Sequence, residues 1–354
     1  MAGEIWVLGA TGRTGREIAA RVAQRGGMPV LVGRNADRLH KTAADLGLGD
    51  AEVVVTDDLP GEITRRRPAV VVNTIGSYAE TAVPIARACL PGGHYVDLAN
   101  DLVAMPRLLA LHDEAVAAGS TFVTGAGFGV LATEAVVARL CADRPTPSQV
   151  RVDAMASVTL DGGPLGEALA QSIVSGLTTG GLRYEHGQMV RTRLAADPRE
   201  HALPDGQTAK SAGGPTGELL AAQVASGAPD VVATSGLMPT APVVRALLPL
   251  AGALLKVPAL RRFAVRRMAA IELKPTPRPR DHSWGHAVVT WADGTVREEW
   301  LRAGEAMEFT SGAAAETAVR LARGEGRAGA YTPARALGPE LAEAASGTFV
   351  TCQP

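Results

Sequence analysis

An apolar run, Glu4-Ile5-Trp6-Val7-Leu8, ends on Gly9 and leads through Ala10-Thr11-Gly12-Arg13-Thr14-Gly15-Arg16 into Ile18, Ala19 and Val22 at helical spacing. Strand, glycines and helix in that order form the setting in which a chain holds a dinucleotide pyrophosphate. Gly9 permits the tight turn out of the strand, Gly12 a close approach of backbone to phosphate, and Gly15 the contact of helix with strand. The helix start then offers N–H groups without helical partners and the positive end of its dipole. The spacing is G-x-x-G-x-x-G rather than G-x-G-x-x-G, so a glycine turn with no ligand is the plain alternative. A triphosphate loop fits poorly, because no Gly-Lys-Ser/Thr follows. Gly9, Ala10, Thr11, Gly12, Arg13, Thr14 and Gly15 are the first part of a candidate cofactor site.

About twenty residues past these glycines, a fold that prefers NAD would carry an acid to bind the ribose 2′-hydroxyl. This chain has Gly33-Arg34-Asn35 and then Arg38. Two guanidinium groups one helical turn apart suit a 2′-phosphate, which predicts NADP(H) over NAD(H); solvated charges at a helix start are the alternative reading. Asn35 can cap the next helix, and Asp57, beyond the strand ending at Val55-Thr56, is placed to reach an adenine edge or to cap.

Strand and helix patterns keep alternating to about residue 128, as in a doubly wound parallel α/β sheet. Ligands in such sheets sit at the carboxyl ends of the strands. Polar clusters fall at those ends: Asn73-Thr74-Ile75-Gly76-Ser77-Tyr78, Asp97 to Asp101, and Gly125 to Gly129 with Gly127 and Phe128. Hydride transfer asks little more of a protein than orientation and a proton. Tyr78 is the first candidate for proton donor and Asp97 the second. For Asp97 the favoured role is bracing its loop by accepting backbone N–H bonds, and a packed ring is an equal alternative for Tyr78. Asp101 and Glu134 are more distant candidates. No Tyr-x-x-x-Lys pair of the short-chain dehydrogenase kind is present.

Taken in order, Leu8 to Gly15, Gly33-Arg34-Asn35, Val72 to Tyr78 and His94-Tyr95-Val96-Asp97-Leu98 resemble the saccharopine dehydrogenase/reductase-like family, in particular its branch related to trans-acting enoyl reductases. The likeness covers roughly the first 135 residues. It implies an NADP(H)-binding Rossmann domain, with Asn73 to Ser77 beside the ribose and nicotinamide, followed by an α/β domain that covers the nicotinamide and often dimerises. Where the family often has Gly-Pro, this chain has Gly76-Ser77, and Gly129-Val130-Leu131-Ala132-Thr133-Glu134 replaces the family's usual acid and later proline. Those departures argue against amino-acid substrates of the saccharopine kind.

The expected organisation is a Rossmann domain over 1–128, a substrate and dimerisation domain with a mixed sheet over 129–310, and a helix and tail over 311–354 that return toward the nucleotide domain. Gly163 to Glu167 resemble a family segment over the cofactor cleft. Tyr184 to Arg193 predict a hairpin and Ala195 to Gly213 a long loop or lid. Ala287 to Trp291 and Val296 to Leu301, joined by Asp293-Gly294, predict a second hairpin, and Glu325 to Thr332 a loop. The apolar tract 240–271 is interrupted by Pro242, Pro249, Pro258 and basic residues, so it does not span a membrane. A buried helix pair with a solvated basic end is favoured there over an amphipathic surface that docks on membranes or admits a greasy substrate. His282 and His286 could share a helix face, yet with no third ligand beside them no metal site is expected.

A formal net charge of -1 gives no case for nucleic-acid binding. Cys89, Cys141 and Cys352 are scattered and odd in number, which points to a reducing compartment rather than a disulfide framework. Met1 to Glu4 have no basic or leader-like character, so a cytoplasmic protein is expected. These features favour an NADPH-dependent reductase, in all expectation a homodimer, acting on a C=C or C=N bond of a hydrophobic small molecule. A nucleotide-binding regulator without turnover and a carbonyl reductase are the competing readings.

Overall fold

A computed structural model describes residues 3–160 and 162–351; Cys352 lies outside them. The chain divides into two compact units, Met1–Leu131 with Met307–Ser346, and Ala132–Ala306 with Gly347–Pro354.

The first unit is a seven-stranded, wholly parallel sheet. Strands β1 (Glu4–Leu8), β2 (Met28–Gly33), β3 (Val53–Val55), β4 (Val70–Asn73), β5 (His94–Asp97) and β6 (Thr121–Val123) lie in the order β6-β5-β4-β1-β2-β3, and Gly329–Tyr331 adds beside β6. Period-two alternation in β1 sends side chains to opposite faces. Ile5 and Val7 pack with Ile18 and Val22 of α1 (Arg13–Gln24), Leu39 of α2 (Ala36–Asp45), and Ala314 and Ala318 of the helix Ala306–Ala322. Trp6 and Leu8 pack on the other face with Ile63 of α3 (Leu59–Arg66) and Ile85 of α4 (Tyr78–Ala88). Both faces are therefore dry, as a doubly wound sheet requires.

The second unit holds a nine-stranded mixed sheet. Gln149–Met155 runs parallel to Asp230–Ser235 on one side and antiparallel to Ser283–Thr290 on the other. Ser283–Thr290 pairs with Val296–Ala303, the hairpin expected from Asp293-Gly294, where Gly294 has φ +84°. The Tyr184 to Arg193 hairpin is present as Gly181–Glu185 and Gln188–Thr192.

Four expectations are corrected. Residues 195–213 are not an open loop: Arg199–Ala202 pairs with Thr208–Gly213, which joins Asp230–Ser235. Their inward positions include His201 and Ser211, so alternation exists but not as an apolar signal. Gly329–Tyr331 is a strand too short to read from pattern. The tail 311–354 does not return as one piece, since Thr348–Val350 pairs with Val296–Ala303 in the second sheet. His286 lies on the strand Ser283–Thr290 rather than on a helix with His282.

Gly15 shows how tightly α1 is seated. A Cβ there would lie 2.4 Å from the Gly9 carbonyl oxygen and 3.0 Å from the Ala10 Cα, both backbone atoms that cannot rotate away. Gly15→Ala should cost about 1–3 kcal/mol, measured as a lower urea midpoint. At Gly49, where a Cβ meets nothing within 4 Å, the same change should be neutral or slightly stabilising.

Candidate functional site

The strand order of the first sheet reverses between β1 and β4, where Leu8 lies opposite Asn73. The carboxyl edge at such a switch is where an open α/β sheet leaves a crevice. Gly9 leaves β1 with φ +75°, and a Cβ there would stand 2.8 Å from Thr74 Oγ1. Its N–H donates to the Val32 carbonyl at 3.0 Å, and the Gly12 N–H donates to the Gly9 carbonyl at 2.9 Å, closing the turn. Gly12 then caps α1 in an extended conformation with no side-chain cap. The dipole end of the helix at this turn favours an anion. Thr11, Gly12 and Arg13 are exposed, Thr14 is half-buried, and Ala10 and Gly15 are buried. This cradle fits a pyrophosphate.

At the end of β2, Arg34 is exposed, and so is Arg38 one turn into α2. Asn35 caps that helix by accepting the Arg38 N–H at 2.9 Å. Neither guanidinium is ion-paired among the described residues. Asp57 is exposed beyond β3, while its neighbour Asp58 does the capping, accepting the Gly61 N–H at 3.0 Å.

On the other side of the switch, Thr74 Oγ1 donates to the Leu8 carbonyl at 2.6 Å, tying the ends of β1 and β4 together. Asn73 is fully buried; its amide donates to Tyr95 Oη at 3.1 Å and to Thr81 Oγ1 at 3.3 Å, and its oxygen accepts the Ile75 N–H at 3.0 Å. Ile75 and Gly76 are half-buried and Ser77 is exposed. Ser77, which precedes α4, has φ +58°, a left-handed conformation uncommon outside glycine. Functional sites collect such residues.

Asp97 is fully buried at the end of β5. Its Oδ1 accepts Thr124 Oγ1 at 2.8 Å, the Ala99 N–H at 3.0 Å and the Gly125 N–H at 3.1 Å, and its Oδ2 accepts Tyr95 Oη at 3.0 Å. Burial pushes its carboxyl up to about 6, against the pull of those donors. The group is held by the loops it braces. Tyr78 opens α4 with its ring half-buried, and its phenol lies well above the ordinary tyrosine range, through burial and the charges of Asp97 and Asp101. Just ahead of the helix Ala104–Leu109, Asp101 Oδ1 accepts the Val103 N–H at 2.9 Å and the Ala104 N–H at 2.8 Å. Gly127 is half-buried at the end of this run, and the Phe128 ring packs edge-on against Phe309, 5.8 Å between centroids. Glu134 is fully buried in the second unit.

The family model described as the saccharopine dehydrogenase NADP binding domain matches residues 5–123. Over that stretch the chain is similar to the saccharopine dehydrogenase NADP-binding family. Its cofactor is NADP(H). Among relatives, the trans-acting enoyl reductase of Mycobacterium tuberculosis strain H37Rv is 29% identical over 146 residues, 39% of this chain and 35% of that protein. That of Mycobacterium leprae is 31% identical over 134 residues, 35% of this chain and 32% of that protein. The match thus spans about a third of the length of these relatives. The apo saccharopine dehydrogenase (L-Glu forming) of Saccharomyces cerevisiae superposes with a TM-score of 0.60 at 12% identity, covering 99% of this chain and 100% of that one. The saccharopine dehydrogenase fold extends through both units.

Sequence reasoning missed a polar cluster inside the second unit. Asp153, His201 and His286 are buried, with donor atoms within 4.8 Å of one another, the approach a metal ion would need. Each is already engaged. His286 Nδ1 lies 2.9 Å from Asp153 Oδ2 and Nε2 lies 2.9 Å from Glu298 Oε1. Arg151 stands 2.9 Å from Asp153 Oδ1, and His201 Nε2 lies 2.8 Å from Ser211 Oγ. Burial would lower the His286 imidazole, but its two carboxylate partners outweigh it and raise it. Asp153 is held down by the same pairing and by Arg151, against its own burial. Bonded at both ring nitrogens and set beside the Asp153–Arg151 pair, the His286 imidazole belongs to a buried polar network. Three polar residues on three separate strands give no local signal in the sequence.

Burial of Asp97 makes stability depend on pH. Its carboxyl titrates near 6 in the folded protein and near 4 in the unfolded chain. The folded state therefore holds the proton more tightly, and this group's contribution is fully present below pH 4 and lost as pH rises through 6. Asp97→Asn, equal in size and still able to accept, should abolish that component of the stability–pH curve. Asp97→Ala strands several buried donors and should cost about 3–5 kcal/mol in urea unfolding.

Proposed function

We propose that the chain is an NADPH-dependent oxidoreductase that reduces a C=C or C=N bond of a hydrophobic small molecule. The observation that carries the reading is the joining of an NADP-binding family match over 5–123 with a cradle at the β1–β4 switch. Trans-acting enoyl reductases among the relatives favour the C=C bond.

NADPH, when bound, supplies the hydride. The chain's residues do the rest. Gly9 to Gly15 hold the pyrophosphate by backbone N–H groups, and Arg34 with Arg38 pair with the 2′-phosphate. Asn73 to Ser77 would border the nicotinamide ribose when the cofactor is bound. Tyr78 keeps its proton at every working pH because its phenol is held above the ordinary range, which suits it to donate a hydrogen bond to the atom that gains negative charge. Asp97 is a positioning residue: it reaches no solvent, and it fixes Tyr95 and the Gly125 loop through the bonds already described.

Purified protein mixed with NADPH and a panel of enones, enoyl thioesters and cyclic imines should consume cofactor absorbance at 340 nm only when a cognate substrate is present (~340 nm is the reduced nicotinamide band). NADPH binding without oxidation across the panel would favour the regulator reading instead. Tyr78→Phe should lower turnover by about 10²–10⁴-fold while leaving the NADPH dissociation constant unchanged; unchanged turnover removes Tyr78 from the mechanism. Arg34→Asp should reverse the preference between NADPH and NADH in calorimetry, weakening NADPH by about tenfold or more. An unaltered ratio of the two affinities would defeat the 2′-phosphate assignment.

A further inference from the structure

The tract 240–271 is not the buried helix pair that its apolar content suggested. It folds as two helices, Pro242–Leu254 and Pro258–Ala269, joined by a short turn. In the first helix Gly252 is the one buried residue, and in the second no residue is buried. Gly252 marks the side that packs inward, since a Cβ there would stand 2.6 Å from the Leu177 carbonyl of the helix Glu167–Thr179. The other side faces out. Val243, Leu247, Leu250 and Leu254, spaced four, three and four residues, form one stripe, 74%, 59%, 62% and 52% exposed. Leu260 and Phe263 add a second stripe, 43% and 63% exposed. Exposed apolar surface of this extent and continuity marks an interaction site rather than an ordinary solvated face.

The charge on this tract decides what covers it. Between Asp230 and Glu272 there is no acidic residue, while Arg245, Lys256, Arg261, Arg262, Arg266 and Arg267 are all basic. Arg245 is used internally, donating to the Ala195 carbonyl at 2.7 Å. The remaining five are exposed, and none of them is ion-paired among the described residues. A two-fold interface between copies would bring these cations of one copy toward those of the other, with no acid in the tract to compensate. Helices of 13 and 12 residues that each begin with proline are too short to cross a bilayer. They are suited to lie in its plane, aliphatic side chains among the acyl chains and arginines at the headgroups.

We propose that the helices Pro242–Leu254 and Pro258–Ala269 dock this protein on an anionic lipid surface. The docking rests on no feature of the nucleotide cradle and stands or falls apart from the reductase assignment.

The test is flotation of the full chain with vesicles of phosphatidylcholine alone and with about one-third phosphatidylglycerol, at low and high salt. The expected result is binding to the anionic vesicles, little to the neutral ones, and loss on raising salt. Replacing Arg261, Arg262, Arg266 and Arg267 together by Gln should weaken partitioning on the order of a hundredfold. Leu247→Glu with Phe263→Glu should abolish it. Both variants should keep wild-type NADPH affinity, which checks folding independently of lipid. No flotation with anionic vesicles overturns the proposal, and so does equal flotation with neutral ones. A concentration-dependent dimer that Leu247→Glu dissociates, with no lipid binding, assigns the face to a second copy and overturns it too.

Discussion

Contact between Gly15 and the Gly9 carbonyl sets the geometry of everything at the nucleotide end. With no side chain between them, the first turn of α1 lies directly on the loop that leaves β1. That contact fixes both the direction of the helix axis and the distance of its first turn from the strand end. The cradle is made of backbone, and backbone geometry depends on packing rather than on the identity of exposed side chains. This is why exposed Thr11 and Arg13 can vary in role while buried Ala10 and Gly15 leave little choice. The Thr74 hydroxyl bond to the Leu8 carbonyl closes the same structure from the β4 side, so the two halves of the sheet meet at a pinned seam.

Beyond the seam the strand ends are polar and buried at once, a combination that is costly unless every group is matched. Asn73, Tyr95 and Asp97 meet that condition as a chain: amide to phenol, phenol to carboxylate, carboxylate to the backbone of two loops. The arrangement places a negative charge below the surface, close enough to hold up the Tyr78 phenol without touching solvent itself. One buried carboxylate thus shapes the floor of the crevice and the acidity of the residue at its rim. A leucine or alanine at 97 could fill the volume but not fasten Gly125, whose φ of +84° already makes that loop dependent on outside support.

How much of this could be read from sequence depended on whether the information was local. The strand–glycine–helix start, the Arg34 position, the capping by Asn35 and the clusters at 73–78 and 97–101 are all short-range patterns, and the parallel sheet follows from their repetition. Where the period-two signal is carried by polar residues, as at His201 and Ser211, hydropathy cannot show it. Asp153 and His286 are 133 residues apart and meet only because two strands are neighbours in the second sheet. Bracing was the favoured role for Asp97, but its partners Thr124 and Gly125 lie 27 and 28 residues on, past β6, and give no local signal. The tract 240–271 misled for the opposite reason. High apolar content usually marks a core, and nothing local distinguishes a helix that is covered from one that is not.

That last distinction has a physical basis that composition alone obscures. A helix destined for a protein core carries its charges on the opposite side and usually in both signs, since solvated faces gain from mixed charge and lose little by it. Pro258–Ala269 carries only cations, and Arg266 and Arg267, three and four residues on, share the side of Phe263. Apolar and cationic side chains on the same side satisfy neither a dry core nor bulk water, but they do satisfy a boundary where hydrocarbon and anionic headgroups lie within one side-chain length of each other. A substrate poorly soluble in water would be most concentrated at such a boundary. The proposed hydrophobic substrate and the proposed lipid-facing helix pair thus share one chemical setting, though they are argued from separate residues.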